Sequence, residues 1–321
     1  MKAARAEQGF VLVTVLVALV LLAIVAERLD ERVRAYRDEQ GGWQRWAREE
    51  TELSSAREEL LFALVTTQLS QGGFGRGKRL LRVDGRPYRM PSGVIASVQD
   101  ARGLMPVTDP DPQMLRRFLL QHGVNDREIS QLRDALADYS DTDNRHRLNG
   151  AEADRYPALG LPPPRNDWPV SPYELGLVAG WSAWPGIWTR AGEAFTGIRD
   201  GRINPNTATP EVLAALPGAT PGGVDKALAW RERRLFSGAA ELMAVSGIAV
   251  DDDPVNFYAG VYYRVRVWRE DGAAALETQL MLTPAAPARP WLVIESRRVE
   301  RPDLPAEREI PPLPLPLPVD G

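Results

Sequence analysis

One short segment holds the side chains best suited to binding a cation. Its four carboxylates are Asp141, Asp143, Glu152 and Asp154. Carboxylate oxygens are hard ligands of the kind that calcium prefers, and Asn144 and the loop carbonyls stand near them in the sequence. The segment lacks the glycine and the twelfth-position glutamate of an EF-hand loop. Spacing alone therefore leaves two interpretations open, a calcium site and a solvated acidic loop.

Side chains for catalysis are scarce. The 321 residues contain no cysteine and only two histidines, His122 and His146, which excludes thiol chemistry and disfavours histidine metal sites and Ser-His-Asp triads. No glycine-rich phosphate loop follows a strand pattern, and the paired acids Asp109 and Asp111 are explained by helix capping. We therefore predict that the chain is not an enzyme and that it has no catalytic residues.

An apolar segment near the start of the chain determines where the other residues work. Residues 10–26 carry no charge and a single hydroxyl, on Thr14. As a helix these 17 residues are about 25 Å long, which falls within the range for a membrane span. Lys2 and Arg5 precede the segment and favour a cytoplasmic N-terminus. We predict one membrane span, with everything after Ala26 outside the cytoplasm.

The junction at the start of this apolar segment resembles the processing site of type IV prepilin-like proteins. In that family a membrane peptidase cuts after a glycine, here Gly9, and the new N-terminal residue, here Phe10, is methylated. Most members carry a glutamate as the fifth mature residue, where this chain has Thr14. The K-type minor pseudopilins of type II secretion systems characteristically lack that glutamate, and the chain resembles this subclass. An ordinary signal anchor is the alternative interpretation.

Residue patterns predict an α+β fold with a helical insertion. An amphipathic stem helix, bent at Gly41-Gly42 and ending at Gln71-Gly72-Gly73, follows the apolar segment. Asp84-Gly85 indicates a tight hairpin. Helix start signals then dominate until strand patterns return near Phe257, and these patterns cross a turn at Asp271-Gly272. The predicted order is a leader peptide (1–9), a transmembrane segment (10–26), a pilin-like stem helix with the first strands (27–102), an inserted α-helical domain (103–253), the remaining strands of a small antiparallel sheet (254–300) and a disordered Pro-rich tail (301–321).

The later part of the insertion is similar to helix-hairpin-helix and SAM-like modules. Thr209, Thr220 and Ser237 mark the starts of three short helices. Some helix-hairpin-helix modules bind DNA, and neutralising phosphates requires net positive charge. Residues 203–248 contain four basic and four acidic side chains, so their net charge is zero. We therefore predict packing against protein rather than nucleic acid, and keep a membrane-anchored DNA-binding protein of the DNA-uptake type as the alternative.

The resemblance to K-type pseudopilins extends over the acidic segment, and it carries further expectations. It implies a bacterial inner-membrane protein, mostly periplasmic, that acts at the pseudopilus tip in assembly, initiation and protein export across the outer membrane. It implies I-type and J-type minor pseudopilins, the major pseudopilin and a prepilin peptidase as partners. It also implies structural calcium, for which Asp141, Asp143, Glu152 and Asp154 are the candidate ligands. A signal-anchored periplasmic hydrolase, losing turnover when one of these carboxylates is changed, is the remaining alternative.

Overall fold

The computed structural model describes residues 4–303 and 309–316; some side chains within residues 4–45, and those of residues 254 and 255, lie outside the description. The chain forms two compact units, Met1–Ser55 and Ala56–Gly321. The prediction of an α+β fold is confirmed, because long helices and an antiparallel sheet occur together.

A single helix, α1 (Ala4–Thr66), opens the fold. It stays helical through Gly41 and Gly42, where we predicted a bend, and it ends several residues before the predicted stop at Gly72. Many side chains of residues 10–26, the predicted membrane segment, lie outside the description. Across the described part of the chain, no helix combines the length and the apolar character that crossing a membrane requires.

Most strands of the second unit pair antiparallel, and they form one main sheet and smaller ones. The strands are β1 (Leu69–Ser70), β2 (Gly73–Phe74), β3 (Leu81–Arg82), β4 (Asp84–Arg89), β5 (Ile95–Asp100), β6 (Met105–Pro106), β7 (Phe195–Thr196), β8 (Tyr262–Trp268), β9 (Ala274–Leu282) and β10 (Trp291–Glu300). Five of them form the main sheet in the order β10-β9-β8-β5-β4, and β1-β2-β3 form a small second sheet. The hairpin predicted around Asp271 and Gly272 is confirmed, because it joins β8 to β9.

The hairpin predicted at Asp84-Gly85 is wrong. Both residues lie inside β4, which pairs with β5 and not with β3. The positive φ of Gly85, 79°, belongs to an irregularity in that pairing between Asp84 and Pro87. The Asp84 carboxylate is buried and binds Arg82 and Arg86 at 3.0 and 2.8 Å, so tertiary ion pairing outweighs the local turn preference.

Helices fill the insertion between β5 and β8. They are α2 (Pro112–Gln121), α3 (Asp126–Ser140), α4 (Pro185–Trp188), α5 (Ala191–Ala194), α6 (Pro210–Ala215), α7 (Pro221–Arg233) and α8 (Ala239–Ser246). The predicted cap residues Thr209 and Thr220 each accept a hydrogen bond from the first turn of their helix, whereas α8 starts after Gly238 and not at Ser237. The parallel pair β6–β7 lies within the insertion, so the insertion is not purely helical.

One apolar core holds the insertion together. Phe195 lies at its centre, with ring centroids 4.9 Å from Phe118 and 6.5 Å from Trp181. Trp181 is fully buried, and its indole N–H donates to the carbonyl of Leu132 at 2.9 Å. Because α3 carries Leu132, this contact fixes the helix whose last turn leads into the acidic segment.

The Pro-rich segment is ordered where the structure describes it. Residues 309–316 lie beside β4, and Pro312 forms a parallel bridge with Arg89. The prediction of a disordered tail is therefore wrong for these residues, because backbone hydrogen bonds and the buried side chain of Leu315 attach them to the sheet. Residues 304–308 and 317–321 lie outside the described part.

Candidate functional site

The C-terminal end of α3 positions the acidic segment. A capping box of Asn125 and Glu128 starts this helix, and Asp141 follows its last residue. Asp143 lies two residues further on, and Glu152 returns to the same place after the intervening loop. Carboxylate oxygens of these three residues lie within 4.8 Å of one another. The structure thus brings together three of the four acids that the sequence indicated.

Glu152 is the most unusual member of this group. Its residue is 2% exposed, and neither carboxylate oxygen has a hydrogen-bond partner among the described residues. Burial raises the pKa of Glu152, and the charges of Asp138 and Asp141 raise it further. One oxygen of Asp141 is also buried and unpartnered within the described structure. Buried carboxylates without partners are costly unless a cation compensates them, so this donor set fits a hard cation.

The loop is shaped by a second, fully buried carboxylate. Asp138 accepts hydrogen bonds from the backbone N–H and the guanidinium of Arg147, the latter at 2.6 Å. The same guanidinium pairs with Asp141. A Cβ atom on Gly150 would lie 1.8 Å from Oδ2 of Asp138, so only glycine fits at that position. Arg147 and Gly150 therefore fold the loop back onto α3 and bring Glu152 to the site.

Asn166 borders the site from a later segment. It has a left-handed backbone, with φ of 51°, and its N–H donates to the carbonyl of Tyr139. Its side-chain amide donates to Asn144 Oδ1 at 3.1 Å, while its own Oδ1 is buried without a partner in the described residues. Asn144 was singled out in the sequence, and the fold makes Asn166 its neighbour.

Asp154 does not belong to this group. Its side chain is 69% exposed, and it pairs with Nε2 of His146 at 3.0 Å. The chain turns between Glu152 and Arg155, since Arg155 donates its backbone N–H to the carbonyl of Glu152. The turn points Asp154 toward solvent. Among the described residues, the group therefore contains three carboxylates and not the four that were predicted.

The two histidines contact a helix carbonyl, an aromatic ring and an exposed carboxylate. Nδ1 of His122 lies 3.0 Å from the carbonyl of Phe118, and its ring packs on the Phe118 ring at 4.4 Å. His146 contacts Asp154, as described above. Neither histidine has a serine, threonine or lysine among the hydrogen-bond partners that the structure gives it, so neither lies beside such a nucleophile as a general base in the described residues.

A buried carboxylate that sequence reasoning missed closes the base of the insertion. Asp100, at the end of β5, is fully buried and accepts hydrogen bonds from the backbone N–H groups of Arg102 and Gly260. It also accepts from the side chains of Asn204 and Thr207, at 3.1 and 2.8 Å. These donors come from the start of the insertion, from its middle and from the return to β8. In the sequence, only the combination of an aspartate at the end of a strand with the segment Asn204-Pro205-Asn206-Thr207 could have indicated this hydrogen-bonded group.

Two of the four basic side chains of the helix-hairpin-helix-like region are engaged by internal partners. Arg231 is buried and donates to the carbonyls of Pro205 and Ala208. Arg234 pairs with Glu241 at the rim of the same helices. Charges occupied by internal partners are not available to neutralise phosphates, which agrees with the balanced charge of this region.

The predicted processing site lies outside the described side chains. Gly9, Phe10 and Thr14 fall within the span of α1, but nothing of their side-chain surroundings is described. The predictions of cleavage after Gly9, of methylation at Phe10 and of a special role for Thr14 therefore stay predictions.

Comparisons with known proteins point to one family. The family model described as "Type II secretion system (T2SS), protein K" matches residues 95–184, and a second model of the same description matches residues 203–256. The type II secretion system protein K of Klebsiella pneumoniae is 25% identical over 313 residues, covering 91% of this chain and 86% of the relative. A solved structure, the GspK-GspI-GspJ complex from the enterotoxigenic Escherichia coli type 2 secretion system, matches with a TM-score of 0.54 and 16% identity. The match covers 83% of this chain and 99% of the solved chain, and it shows a shared fold.

Proposed function

The chain belongs to the protein K family of type II secretion systems, and from that membership we propose that it is a minor pseudopilin acting at the tip of the pseudopilus. In this role it takes part in assembly and initiation, and through them in protein export across the outer membrane. The observation that carries the proposal is the pair of family matches, which together cover most of the insertion that distinguishes this chain. The role is structural, and we propose no catalytic activity.

The location we propose follows from the N-terminal sequence. Residues 10–26 would anchor the chain in the inner membrane by a single pass, and the larger unit would lie in the periplasm. A prepilin peptidase would cut after Gly9 and methylate Phe10. Thr14 supports a position at the tip, because a buried glutamate there needs a neighbouring amine to compensate its charge and a terminal subunit has no such neighbour.

We propose I-type and J-type minor pseudopilins as direct partners, with the major pseudopilin extending below them. The support is the solved GspK-GspI-GspJ complex described above, which contains a chain of the same fold as this one. The test is co-purification of the detergent-extracted full chain with its I-type and J-type counterparts. A stoichiometric ternary complex is the expected result. If neither partner is retained under conditions where the two bind each other, the partner assignment is wrong.

Processing has a separate test. The full chain is expressed with and without a prepilin peptidase, and the intact mass and N-terminal peptide are measured. We expect a product that begins with N-methyl-Phe10 only when the peptidase is present, and no cleavage in a Gly9→Val variant. A chain that keeps residues 1–9 in both samples would remove the pilin-like mode of insertion from the proposal.

The helices α6–α8 are proposed to form a SAM-like packing module and not a DNA-binding one. Arg82 donates to the carbonyl of the buried Arg231, and Glu232 pairs with Arg86 of β4, so the module is attached to the sheet. The comparisons give the alternative of a DNA-uptake protein no support. Measuring duplex DNA binding by the full chain at low and high salt checks this point, and we expect no salt-sensitive binding.

We propose that calcium binds at the acidic segment, held by Asp141, Asp143 and Glu152. The fit rests on the two unpartnered oxygens of buried Glu152 and the unpartnered oxygen of Asp141, which match the hard oxygen ligands of calcium. Bound calcium would supply positive charge that ties the loop to the end of α3. It would act structurally and would take no part in a reaction.

The calcium proposal is tested by titrating the calcium-stripped full chain and following bound metal and thermal unfolding together. We expect a Glu152→Gln variant to lose calcium binding and the calcium-dependent rise in Tm. Asp154→Asn is the matched control, because Asp154 lies in the same segment but outside the group, and it should bind as the wild type does. Equal binding by wild type and Glu152→Gln would refute the site.

A further inference from the structure

The Pro-rich segment, which comprises residues 309–316, is an added strand at one edge of the main sheet. The backbone N–H of Arg89 in β4 donates to the carbonyl of Pro311 at 2.8 Å. The N–H of Leu313 donates back to the carbonyl of Arg89, also at 2.8 Å. These two bonds flank Pro312, which is bridged to Arg89 in the parallel sense. The segment therefore satisfies the backbone N–H and carbonyl of Arg89, at the end of β4, on the side facing away from β5.

Apolar side chains hold the segment in this place. Leu315 is 6% exposed, and a Cβ atom built on Gly75 would lie 3.6 Å from its Cδ2 atom, so the leucine packs against the loop after β2. Ile310 packs against a cluster formed by buried residues of three strands, Ile95, Trp268 and Ala275. Two anchors on either side of the hydrogen-bonded residues fix the register of the segment.

The alternation of leucine and proline has a directional consequence. Successive backbone N–H groups of an extended chain point to opposite sides, and that of Leu313 points to β4. The backbone nitrogens of Pro312 and Pro314 therefore face outward, and proline nitrogens carry no hydrogen. The outer side of the segment lacks a donor at both positions. Proline is the residue that natural sheets use to blunt an edge strand in this way.

We propose that the Pro-rich segment terminates the sheet, and that by occupying β4 it prevents a second copy of this chain from pairing at that edge. The opposite edge, β10, is interrupted by an irregularity in its pairing with β9 between Val293 and Glu295, a second device that discourages edge pairing. Because both edges are protected against pairing with a further strand, the sheet stays within one molecule. The inference does not depend on the role in secretion, since it concerns this chain and its own copies.

The first test restores the missing donors. In the full chain in detergent, Pro312 and Pro314 are both replaced by valine, which keeps the extended backbone and the inward-facing leucines. We expect self-association about tenfold tighter than that of the wild type in sedimentation velocity, because two new N–H groups become available to another strand. Pro287→Val, in the exposed loop between β9 and β10, is the matched control and should sediment as the wild type does.

A double variant that sediments like the wild type at every concentration would overturn the proposal. A second measurement uses the unmodified chain, so it does not depend on how the variant folds. Hydrogen exchange should show the Leu313 amide protected at least about a hundredfold relative to the same residue in the free peptide of residues 309–316. An unprotected Leu313 amide would mean that the segment does not occupy β4.

A third test removes the segment by a stop codon in place of Glu309. The truncated chain should self-associate, and the peptide of residues 309–316 added in trans should bind it and reverse the association. A scrambled peptide of the same composition is the control. If the truncated, folded chain neither associates nor binds the peptide, β4 is not a strand acceptor and the proposal fails.

Discussion

Replacing Asp100 by asparagine tests how the insertion is fastened to the sheet. Each carboxylate oxygen accepts two hydrogen bonds: Oδ1 from the backbone of Arg102 and Gly260, and Oδ2 from Asn204 and Thr207. Asparagine turns one of the two oxygens into an NH2 group. Toward Arg102 and Gly260 this NH2 group faces two backbone donors, and both hydrogen bonds are lost. Toward Asn204 and Thr207 only the Asn204 bond is lost, because the Thr207 hydroxyl can rotate to accept from the NH2 group.

The magnitude follows from these contacts. A hydrogen bond to a charged acceptor contributes about 1.5–3 kcal/mol, so losing one or two costs about 1.5–6 kcal/mol. Burial raises the pKa of Asp100, and the bonds from Thr207 and Gly260 only partly offset it, so removing the charge returns some of this cost. We expect a net loss of about 2–4 kcal/mol in the free energy of unfolding. For a unit of this size that corresponds to a Tm lower by roughly 5–15 °C.

The assay is urea unfolding of the full chain, with Asp126→Asn as the matched control. Asp126 is also an aspartate of the insertion, but its pair with Arg116 is exposed, so its loss should cost about 0.5 kcal/mol or less. Thr207→Val, which removes one of the four donors, should fall between the two. If Asp100→Asn unfolds within about 0.5 kcal/mol of the wild type, the carboxylate is not the fastening that the distances indicate.

Three further predictions concern single side chains. Burial raises the pKa of Asp84, but Arg86, Arg82 and Arg231 outweigh this effect and hold the pKa below its usual value. The ion pairs therefore stabilise the fold at any pH above the pKa that Asp84 has in the unfolded chain. This stabilisation is lost as the pH falls through the lower pKa that Asp84 has in the folded chain. Asp84→Asn should therefore cost about 3 kcal/mol at pH 7 and progressively less below about pH 4 in urea unfolding. Gly150→Ala should displace Asp138 and weaken calcium binding at least about tenfold by titration, while Gly186→Ala, with open space at its Cβ, leaves binding unchanged. Trp181→Phe should lower the free energy of unfolding by about 1–3 kcal/mol, because the buried hydrogen bond from the indole N–H to the carbonyl of Leu132 is lost, and equal stability would contradict this.

Local signals account for what the sequence predicted correctly. The caps at Thr209 and Thr220 depend on side chains within a few residues of the helix start, and so does the β8–β9 hairpin around Asp271. The turn expected at Asp84-Gly85 failed for the opposite reason. Its preference is worth little against ion pairs with arginines that only the folded chain brings to Asp84.

At the candidate site, too, local signals were predictable from the sequence and tertiary contacts were not. Composition identified the acidic segment, and the helix end explains why Asp141 and Asp143 are close. The choice between Glu152 and Asp154 was beyond the sequence, because it depends on how Gly150 packs against the buried Asp138. The Pro-rich segment was misjudged because proline alternation describes only the chain itself, whereas its order comes from the β4 backbone and from pockets for Ile310 and Leu315.

The four hydrogen bonds that Asp100 accepts also determine how the insertion responds to force. The insertion leaves the sheet from the end of β5 and returns at the start of β8, and these strands pair there through Asp100 and Tyr263. Tension on the helices would therefore load this ladder from one end and open its rungs one after another, as a zipper opens. The carboxylate of Asp100 holds the backbone of Gly260 just ahead of the first rung. A pull or push on the helical part is thus transferred to the two central strands of the sheet, and the first bond to yield would be the one at Asp100.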